Sequence, residues 1–334
     1  MKKKAIVVIV LIILLTFLVG SAITDIYRLG EPPECLIWCA MPENTNLNLK
    51  YFGFYNCDYR EDSLQEVMDL SCTNVIFIYT RSYAMRDSLQ ACKERNMKAM
   101  IRWENGIKGA SVYCHDLIVE YNDTILGFYF DEPWWHNYSL EYYHFVTKTL
   151  RETYPDKEVF SCLAVCEFAN MPQFARDMTA QGVFARSKAP EGYYKYCTIL
   201  GFDFYCAWNP YKVLYLQFFK QLKALCTPEQ KIWLVPKGFY AEKGYARIVE
   251  NHIEPIGNEL INSLKEHYKL ALREPKVEGI IVFAYMDGTF SEWGIAIENF
   301  VNEYSPHYRE DVKKYYQQIG REIIKNANYQ IVRT

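Results

Sequence analysis

Two adjacent carboxylates, Asp131 and Glu132, follow an apolar run and precede Pro133. Burying neighbouring carboxylates without partners is costly, and their mutual repulsion tends to raise the pKa of one of them. Such a pair can divide the work of a reaction, because one group remains an anion while the other keeps a proton to donate. The sequence therefore predicts acid–base chemistry here, with one of the two carboxyls as the proton donor and the other as the stabilising anion.

The elements that would position this pair are eight short apolar or aromatic runs, rich in β-branched and aromatic residues, as buried strands are. Segments with helical patterns, several of them ending at Pro or Asn, fill the gaps. Eight strands alternating with helices predict a single (β/α)8 barrel, since a doubly wound sheet needs fewer strands and usually carries a phosphate loop. The predicted strands are Lys50–Tyr55, Asn74–Tyr79, Lys98–Trp103, Thr124–Phe130, Glu158–Val165, Thr198–Tyr205, Lys231–Val235 and Glu278–Tyr285.

The N-terminus carries Lys2–Lys4 and then an apolar run from Ala5 to Ala22. This pattern is typical of a signal peptide, and the run is also nearly long enough to be a retained membrane anchor. Both alternatives place the globular part outside the cytoplasmic membrane, either secreted or anchored through the N-terminal segment. We therefore expect a signal peptide or anchor over residues 1–22, a linker or cap over 23–47, the barrel over 48–305 and a C-terminal helical extension over 306–334.

Composition excludes several classes of protein. The formal net charge is −3, and no block of five like charges occurs, which argues against a nucleic-acid partner. The phosphate-loop and dinucleotide motifs are missing, as are Cys and His spacings typical of zinc sites, so we expect no cofactor and no metal. The chain is rich in aromatic residues, with 28 Tyr, 19 Phe and 7 Trp. These fit either a Tyr-rich core or a cleft for a flat ligand such as a sugar ring.

In barrels of this kind the chemistry lies at the carboxyl ends of the strands. Side-chain alternation places Ile125, Gly127, Tyr129 and Asp131 inside the barrel, with the intervening residues facing the helices. Glu167 follows the fifth predicted strand. The other polar and aromatic residues at or just beyond strand ends are expected to bind a substrate, the tyrosines by hydrogen bonds and the tryptophans by stacking. They are Tyr55, Trp103, Trp134, Asp203, Tyr205, Lys237, Tyr285, Asp287 and Trp293.

The run from Gly127 to Pro133, GFYFDEP, resembles the strand 4 signature of (β/α)8 glycoside hydrolases. In one variant of that family, an Asn-Glu-Pro motif supplies the acid/base Glu, and a second Glu on strand 7 is the nucleophile. In the N-acetylhexosaminidase-type variant, an Asp-Glu pair ends strand 4, and the Asp orients the substrate's own 2-acetamido group as nucleophile. This chain has Asp131 in place of Asn and Lys237 at the end of strand 7, which favours the second variant.

The resemblance implies a glycosidase with a carbohydrate substrate, with Glu132 as the acid/base and Asp131 as the anion that stabilises the intermediate. Together with the N-terminal segment, it predicts action on an extracellular glycan. Two alternatives stay open at this stage. Some retaining barrels place a nucleophilic Asp on strand 4 and an acid Asp on strand 6, which Asp131 and Asp203 would fit. A non-catalytic, glycan-binding surface barrel with a degraded site is also consistent with Lys237 on strand 7, and a structural surface protein would make the cluster of polar strand ends accidental.

Overall fold

The computed structural model describes residues 46, 48–57, 61–78, 85–103, 115–169, 188–204, 212–240, 257–283 and 295–331. Residues 46–334 form one compact unit. The predicted signal or anchor segment, and all but one residue of the predicted linker, lie outside the described residues. The limits given to the barrel and to the C-terminal extension stay predictions.

Eight parallel strands form a closed barrel, as predicted. Each strand pairs with the next along the chain, and the last returns to the first through the pairing of Tyr51 with Gly279. Each of the eight predicted runs contains most of one strand, and the seventh matches it residue for residue. The strands are β1 (Tyr51–Cys57), β2 (Val75–Ile78), β3 (Lys98–Arg102), β4 (Ile125–Asp131), β5 (Glu158–Ala164), β6 (Ile199–Asp203), β7 (Lys231–Val235) and β8 (Val277–Val282).

Helices cover the outside of the barrel, and residues 115–120 are also helical. The hydroxyl of Ser139 caps the helix over Leu140–Thr153 by accepting a hydrogen bond from the Tyr142 N–H at 3.2 Å. The helices are α1 (Glu61–Asp69), α2 (Met85–Glu94), α3 (Leu140–Thr153), α4 (Val165–Phe168), α5 (Lys212–Leu225), α6 (Asn258–Ala271), α7 (Glu298–Val301) and α8 (Glu310–Ile331). A short antiparallel pairing joins Phe239–Tyr240 to Ile295–Ala296.

Helix α8 is the amphipathic helix expected in the tail, and its apolar face is buried on the barrel. Tyr316 is fully buried and donates a hydrogen bond to the Lys237 carbonyl at 3.2 Å. A Cβ added at Gly320 would lie 2.1 Å from the Cys72 carbonyl oxygen, so glycine is required for the helix to approach β1 and the turn before β2 this closely. This helix therefore contributes to the layer that covers β1.

The barrel interior is filled mainly by aromatic rings. Phe77 lies near its centre, with Tyr129, Phe160 and Trp233 within 6 Å of it, centroid to centroid. A Cβ at Gly201 would stand only 2.7 Å from the Phe160 ring, so a residue without a side chain makes room for a large neighbour. This packing closes the barrel below its carboxyl end and leaves that end as the place where polar side chains gather.

The predicted alternation along β4 is correct at Tyr129 and wrong at Ile125. Tyr129 belongs to the interior cluster, whereas Ile125 packs in the outer layer and Leu126 packs against the interior. The register between β3 and β4 shifts between the pairs Ala99–Ile125 and Met100–Gly127. One extra residue in β4 therefore resets the alternation, as a β-bulge does.

Six cysteines, Cys72, Cys92, Cys162, Cys166, Cys197 and Cys226, are free thiols, and all but Cys226 are buried. They act there as small apolar side chains. Across the ranges that the structure covers, we find no helix both long and apolar enough to cross a membrane.

Candidate functional site

Four carboxyl groups gather at the carboxyl ends of three consecutive strands. Asp131 is the last residue of β4, Glu132 follows it, Glu167 lies in α4 directly after β5, and Asp203 is the last residue of β6. Neighbouring parallel strands end at the same edge of a barrel, so these side chains share one part of its mouth. The sequence therefore folds so that acids separated by up to 72 positions act on one another electrostatically.

The backbone at Glu132 explains how two consecutive carboxylates reach the same site. In a continuing strand, Glu132 would face the opposite side from Asp131. Its φ is instead +43°, in the left-handed region that costs a residue with a side chain about 1–2 kcal/mol. The Glu132 N–H donates to the Cys162 carbonyl at 2.8 Å, and the Glu132 carbonyl accepts from the His136 N–H at 2.8 Å. In this conformation the Glu132 carboxyl hydrogen-bonds the carboxyl of Asp203.

The surroundings of Glu132 favour its protonated form. Burial of the carboxyl raises the pKa of Glu132 well above its usual range, and the charges of Asp203, Asp131 and Glu167 raise it further. The hydrogen bond with Asp203 acts in the same direction, since two carboxyls that share it must share a proton. About a quarter of the Glu132 side chain, 24%, nevertheless remains open to solvent. Glu132 is therefore a carboxyl whose surroundings favour its protonated form and which can still reach a bound molecule.

Asp131 has a different environment. The Tyr55 hydroxyl donates a hydrogen bond to Asp131 Oδ1 at 3.2 Å. Burial, followed by the charge of Asp131, raises the pKa of Tyr55 well above its usual value, so the phenol stays protonated and remains a donor. The two neighbouring acids thus have the unequal surroundings that a division into anion and proton donor requires.

Glu167 is the most deeply buried member of the group, with 1% of its surface exposed. One carboxyl oxygen, Oε1, accepts from the Trp135 N–H at 2.6 Å, and the other, Oε2, accepts from the Tyr194 hydroxyl at 2.8 Å. Burial raises the pKa of Glu167 to about 8, although these two hydrogen bonds act to lower it.

The remaining predicted site residues are placed in several environments. Lys237, just after β7, is buried, and its backbone N–H donates to the Ser263 hydroxyl at 3.1 Å. The ring of Trp103 packs edge-on against Phe128 in the outer core, and Trp134 packs in the same way against Tyr193. The structure thus brings Tyr55 and Asp203 together with the acid pair, but does not bring these two tryptophans into that hydrogen-bonded group. Tyr205, Tyr285, Asp287 and Trp293 lie outside the described residues.

Sequence reasoning missed Tyr194, whose hydroxyl contacts Glu167, and noted Glu167 only as a residue after a strand. Tyr194 lies in the turn over residues 191–196, away from any predicted strand end, and no local motif marks it. Within the part of the chain that the structure describes, no three His, Cys, Asp or Glu side chains are grouped so as to hold a metal ion.

Comparison with known proteins identifies relatives by fold. No protein-family model matches the sequence, and no curated protein matches it. Three similar solved structures are a GH2 β-galacturonidase from Eisenbergiella tayi bound to galacturonate, a β-glucuronidase from Ruminococcus gnavus in complex with D-glucuronic acid, and xylanase 10B from Thermotoga petrophila in complex with xylobiose.

The likeness is one of architecture. The TM-scores are 0.53, 0.54 and 0.50, and the sequence identities are 13%, 10% and 13%. The match covers 82%, 81% and 85% of this chain, and 51%, 49% and 99% of the respective neighbours. The chain therefore spans about half the length of the first two proteins and nearly all of the third. At these identities the comparisons establish the shared (β/α)8 barrel.

Proposed function

We propose that the protein is a glycoside hydrolase that acts on an extracellular glycan, with Glu132 as its general acid. The observation that carries the proposal is the carboxyl of Glu132, hydrogen-bonded to Asp203 beside Asp131 at the mouth of the barrel. Glycoside cleavage needs a proton for the leaving oxygen and a negative charge near the cationic ring, and this arrangement offers both. All three fold relatives described above are named as glycosidases, which supports the same reaction class.

Asp203 is better assigned as the hydrogen-bonding partner of Glu132 than as an independent catalytic group. Two carboxyls that act on opposite sides of a sugar carbon lie about 5–5.5 Å apart in retaining enzymes and farther apart in inverting ones. Glu132 and Asp203 are within hydrogen-bond distance, which leaves no room for a sugar between them. We therefore propose that Glu132 and Asp203 share one proton, and that Glu132 is the residue that donates it to the substrate.

For the second half of the reaction we propose substrate assistance on 2-acetamido sugars. Glu132 donates its proton to the glycosidic oxygen while the C1–O bond breaks and the carbonyl oxygen of the 2-acetamido group bonds to C1. Asp131, held by Tyr55, accepts the hydrogen bond of the acetamido N–H. Water then adds at C1 while the bond between C1 and the acetamido oxygen breaks, and the water gives its proton to the Glu132 carboxylate. Support comes from the acid pair itself, and from Lys237, which follows β7 where the other variant has a nucleophilic Glu.

Lys237 also favours a second candidate, a non-catalytic barrel that binds glycans at the cell surface. A buried lysine after β7, in place of a carboxylate, is what loss of a two-carboxylate site would leave. Such a protein would bind sugars through the mouth of the barrel without cleaving them. Binding of a glycan without release of reducing sugar would identify this candidate.

The location proposed for either function is outside the cytoplasmic membrane, secreted or anchored by residues 1–22. Membrane fractionation with protease protection checks this. Full-length protein found free in the cytosol would contradict it.

Paired aryl glycosides test the activity. Wild type, Glu132→Gln and Asp131→Asn would be assayed on 4-nitrophenyl glycosides that differ only in a 2-acetamido or 2-hydroxy group. We expect wild type to cleave the acetamido sugar and spare its hydroxy analogue. Asp131→Asn should be strongly impaired, and Glu132→Gln less so, because nitrophenolate leaves with little help from an acid. Equal activity in all three proteins would remove both residues from the mechanism. Cleavage of only the 2-hydroxy sugar would contradict substrate assistance while keeping the glycosidase.

A further inference from the structure

The turn that carries Glu132 is held by a side chain from the next strand. Residues 133–137 form this turn between β4 and α3, and the N–H of Trp135 points at Glu167 Oε1 from 2.6 Å. The other oxygen of Glu167 receives the Tyr194 hydroxyl at 2.8 Å. One buried carboxyl thus joins the turn after β4, the helix after β5 and the turn before β6.

The backbone around Tyr194 is itself fixed by hydrogen bonds. The Tyr194 carbonyl accepts a hydrogen bond from Gln230 Nε2 at 2.8 Å, and the same amide donates to the Cys197 carbonyl at 2.9 Å. Gln230 directly precedes β7. The backbone carbonyl of Glu167 also accepts from the Ala189 N–H at 2.8 Å. Glu167 and Tyr194 therefore hold the turn after β4 against the frame of the barrel.

These hydrogen bonds matter because Glu132 has an unfavourable backbone conformation. A positive φ at a non-glycine residue persists only where surrounding contacts determine it. Two of those contacts lie within the turn itself, from the His136 N–H to the Glu132 carbonyl and from the Tyr138 N–H to the Pro133 carbonyl. Beyond the turn, the ladder bond of Glu132 itself and the Glu167 carboxyl tie it to the barrel.

We propose that Glu167 and Tyr194 are positioning residues that hold the turn after β4, and through it Glu132, in the geometry that proton donation requires. The inference rests on the proposed function. It assigns a role to two residues that lie behind the acid pair, in addition to the pair itself.

Glu167 has a second effect on Glu132, through charge. When ionised, Glu167 raises the pKa of Glu132 by repulsion. Because burial raises the pKa of Glu167 to about 8, this repulsion acts only at alkaline pH, and removing it should move the alkaline limb of the rate profile to lower pH there. The titratable and charged groups around this cluster include Tyr55, Arg102, Asp131, His136, Cys162, Cys166, Tyr193, Tyr194 and Asp203.

Three variants distinguish the effect of Glu167 and Tyr194 on the position of Glu132 from the effect of the Glu167 charge on the pKa of Glu132. Glu167→Gln can keep both contacts, because its amide oxygen accepts from Trp135 and its amide N–H can donate to the Tyr194 hydroxyl. We expect near wild-type kcat at its optimum and an alkaline limb moved to lower pH. Glu167→Ala removes both hydrogen bonds of the Glu167 carboxyl, so the turn after β4 is no longer fixed. We expect kcat to fall about 10²-fold, the cost of misplacing a catalytic group. Tyr194→Phe removes one hydroxyl and should lower kcat about tenfold, the equivalent of one hydrogen bond, with KM little changed.

A matched control is Tyr121→Phe, which removes a partly buried hydroxyl that donates to Gln90 Oε1 at 3.3 Å, far from the mouth of the barrel. It should leave kcat and its pH profile unchanged. Thermal unfolding of every variant would show whether lost activity reflects lost folded protein. Unchanged kcat and pH profile in all Glu167 and Tyr194 variants, with Glu132→Gln inactive, would overturn the inference and leave the proposed function intact.

Crystal structures of Tyr194→Phe and Glu167→Ala test the same inference without any activity. We expect the turn over residues 133–137 to shift and the hydrogen bond from Glu132 to Asp203 to lengthen or break. If wild type proves inactive on every glycoside, the proposed function fails, and these structures alone decide whether the two residues hold the turn. An unaltered turn in both variants would contradict the inference.

Discussion

Carboxylates at the two ends of the barrel have neighbours of opposite charge. At the amino-terminal end, Lys231 lies 3.0 Å from Glu158 and 3.4 Å from Glu278, and Lys50 lies 3.5 Å from Glu278. At the carboxyl end, Glu132 lies among three other acids and hydrogen-bonds one of them. The first arrangement neutralises charge and stabilises the fold. The second raises the pKa of an acid, which is useful for chemistry and unfavourable for stability.

This contrast distinguishes acids that stabilise the barrel from acids that could act on a substrate. Strand β5 contributes to both ends, since Glu158 begins it and Glu167 follows it within a few residues. Residue type alone does not separate the two roles. Position along the strand and the sign of the nearest charge do.

The largest expected effect comes from exchanging one acid at each end for its amide. Glu132→Gln keeps the shape and removes the proton donor, so kcat should fall by about 10²–10⁴-fold. Its stability should not fall, because a crowded buried acid is removed. Glu158→Gln, about 15 Å away along β5, should leave kcat unchanged and lower the free energy of unfolding. Steady-state kinetics and urea unfolding check both variants, and a Glu158→Gln protein that is stable but inactive would break the comparison.

The pH dependence of stability should differ between the two ends. Burial raises the pKa of Glu167 to about 8, so its neutral form stabilises the fold fully below about pH 4.5, and this contribution is lost as the pH rises through 8. At the other end, partial burial lowers the pKa of Lys231, but the hydrogen bond and charge of Glu158 outweigh this and raise it overall. The contribution of Lys231 is therefore constant up to strongly alkaline pH.

We expect the melting temperature of wild type to fall between pH 5 and pH 9, and to fall less in Glu167→Gln. In a domain of this size, 1 kcal/mol corresponds to roughly 2 °C. Glu158→Gln should show the same slope as wild type at a lower overall temperature. Calorimetry at several pH values measures both, and parallel curves for wild type and Glu167→Gln would contradict the raised pKa of Glu167.

The smallest effect should follow from removing the cation at the amino-terminal end. Lys231→Met leaves two carboxylates without their main partner. The lysine side chain is 34% exposed, so solvent screens the pairs, and we expect a loss of about 1 kcal/mol. Catalysis should be unaffected. Urea unfolding of Lys231→Met and wild type measures the difference in free energy of unfolding. A loss of activity without a loss of stability would mean that the amino-terminal end of the barrel takes part in function.

Much of the fold follows from local sequence. The eight strands are short β-branched and aromatic runs at regular spacing, and Lys231–Val235 is both predicted and observed to the residue. Alternation correctly placed Tyr129 inside the barrel because it depends only on the extended backbone. It failed at Ile125 because the extra residue in β4 depends on how β3 pairs with it.

Less of the candidate site than of the fold could be predicted from the sequence. Asp131 could be assigned to the mouth from its place in β4, and Asp203 from its place in β6. The left-handed conformation of Glu132 and the contact of Tyr194 with Glu167 could not, because both depend on contacts between segments far apart in the chain. Tyr205, Tyr285, Asp287 and Trp293 stay predictions.

The most direct test of Glu132 as a general acid is the dependence of its substitution on the leaving group. The ratio of wild-type to Glu132→Gln kcat/KM would be measured for a 4-nitrophenyl and an unsubstituted phenyl glycoside of the same sugar. Nitrophenolate leaves with little help from an acid, whereas phenolate needs a proton. We predict a much larger loss on the phenyl glycoside than on the nitrophenyl one. An equal loss on both substrates would contradict proton donation by Glu132.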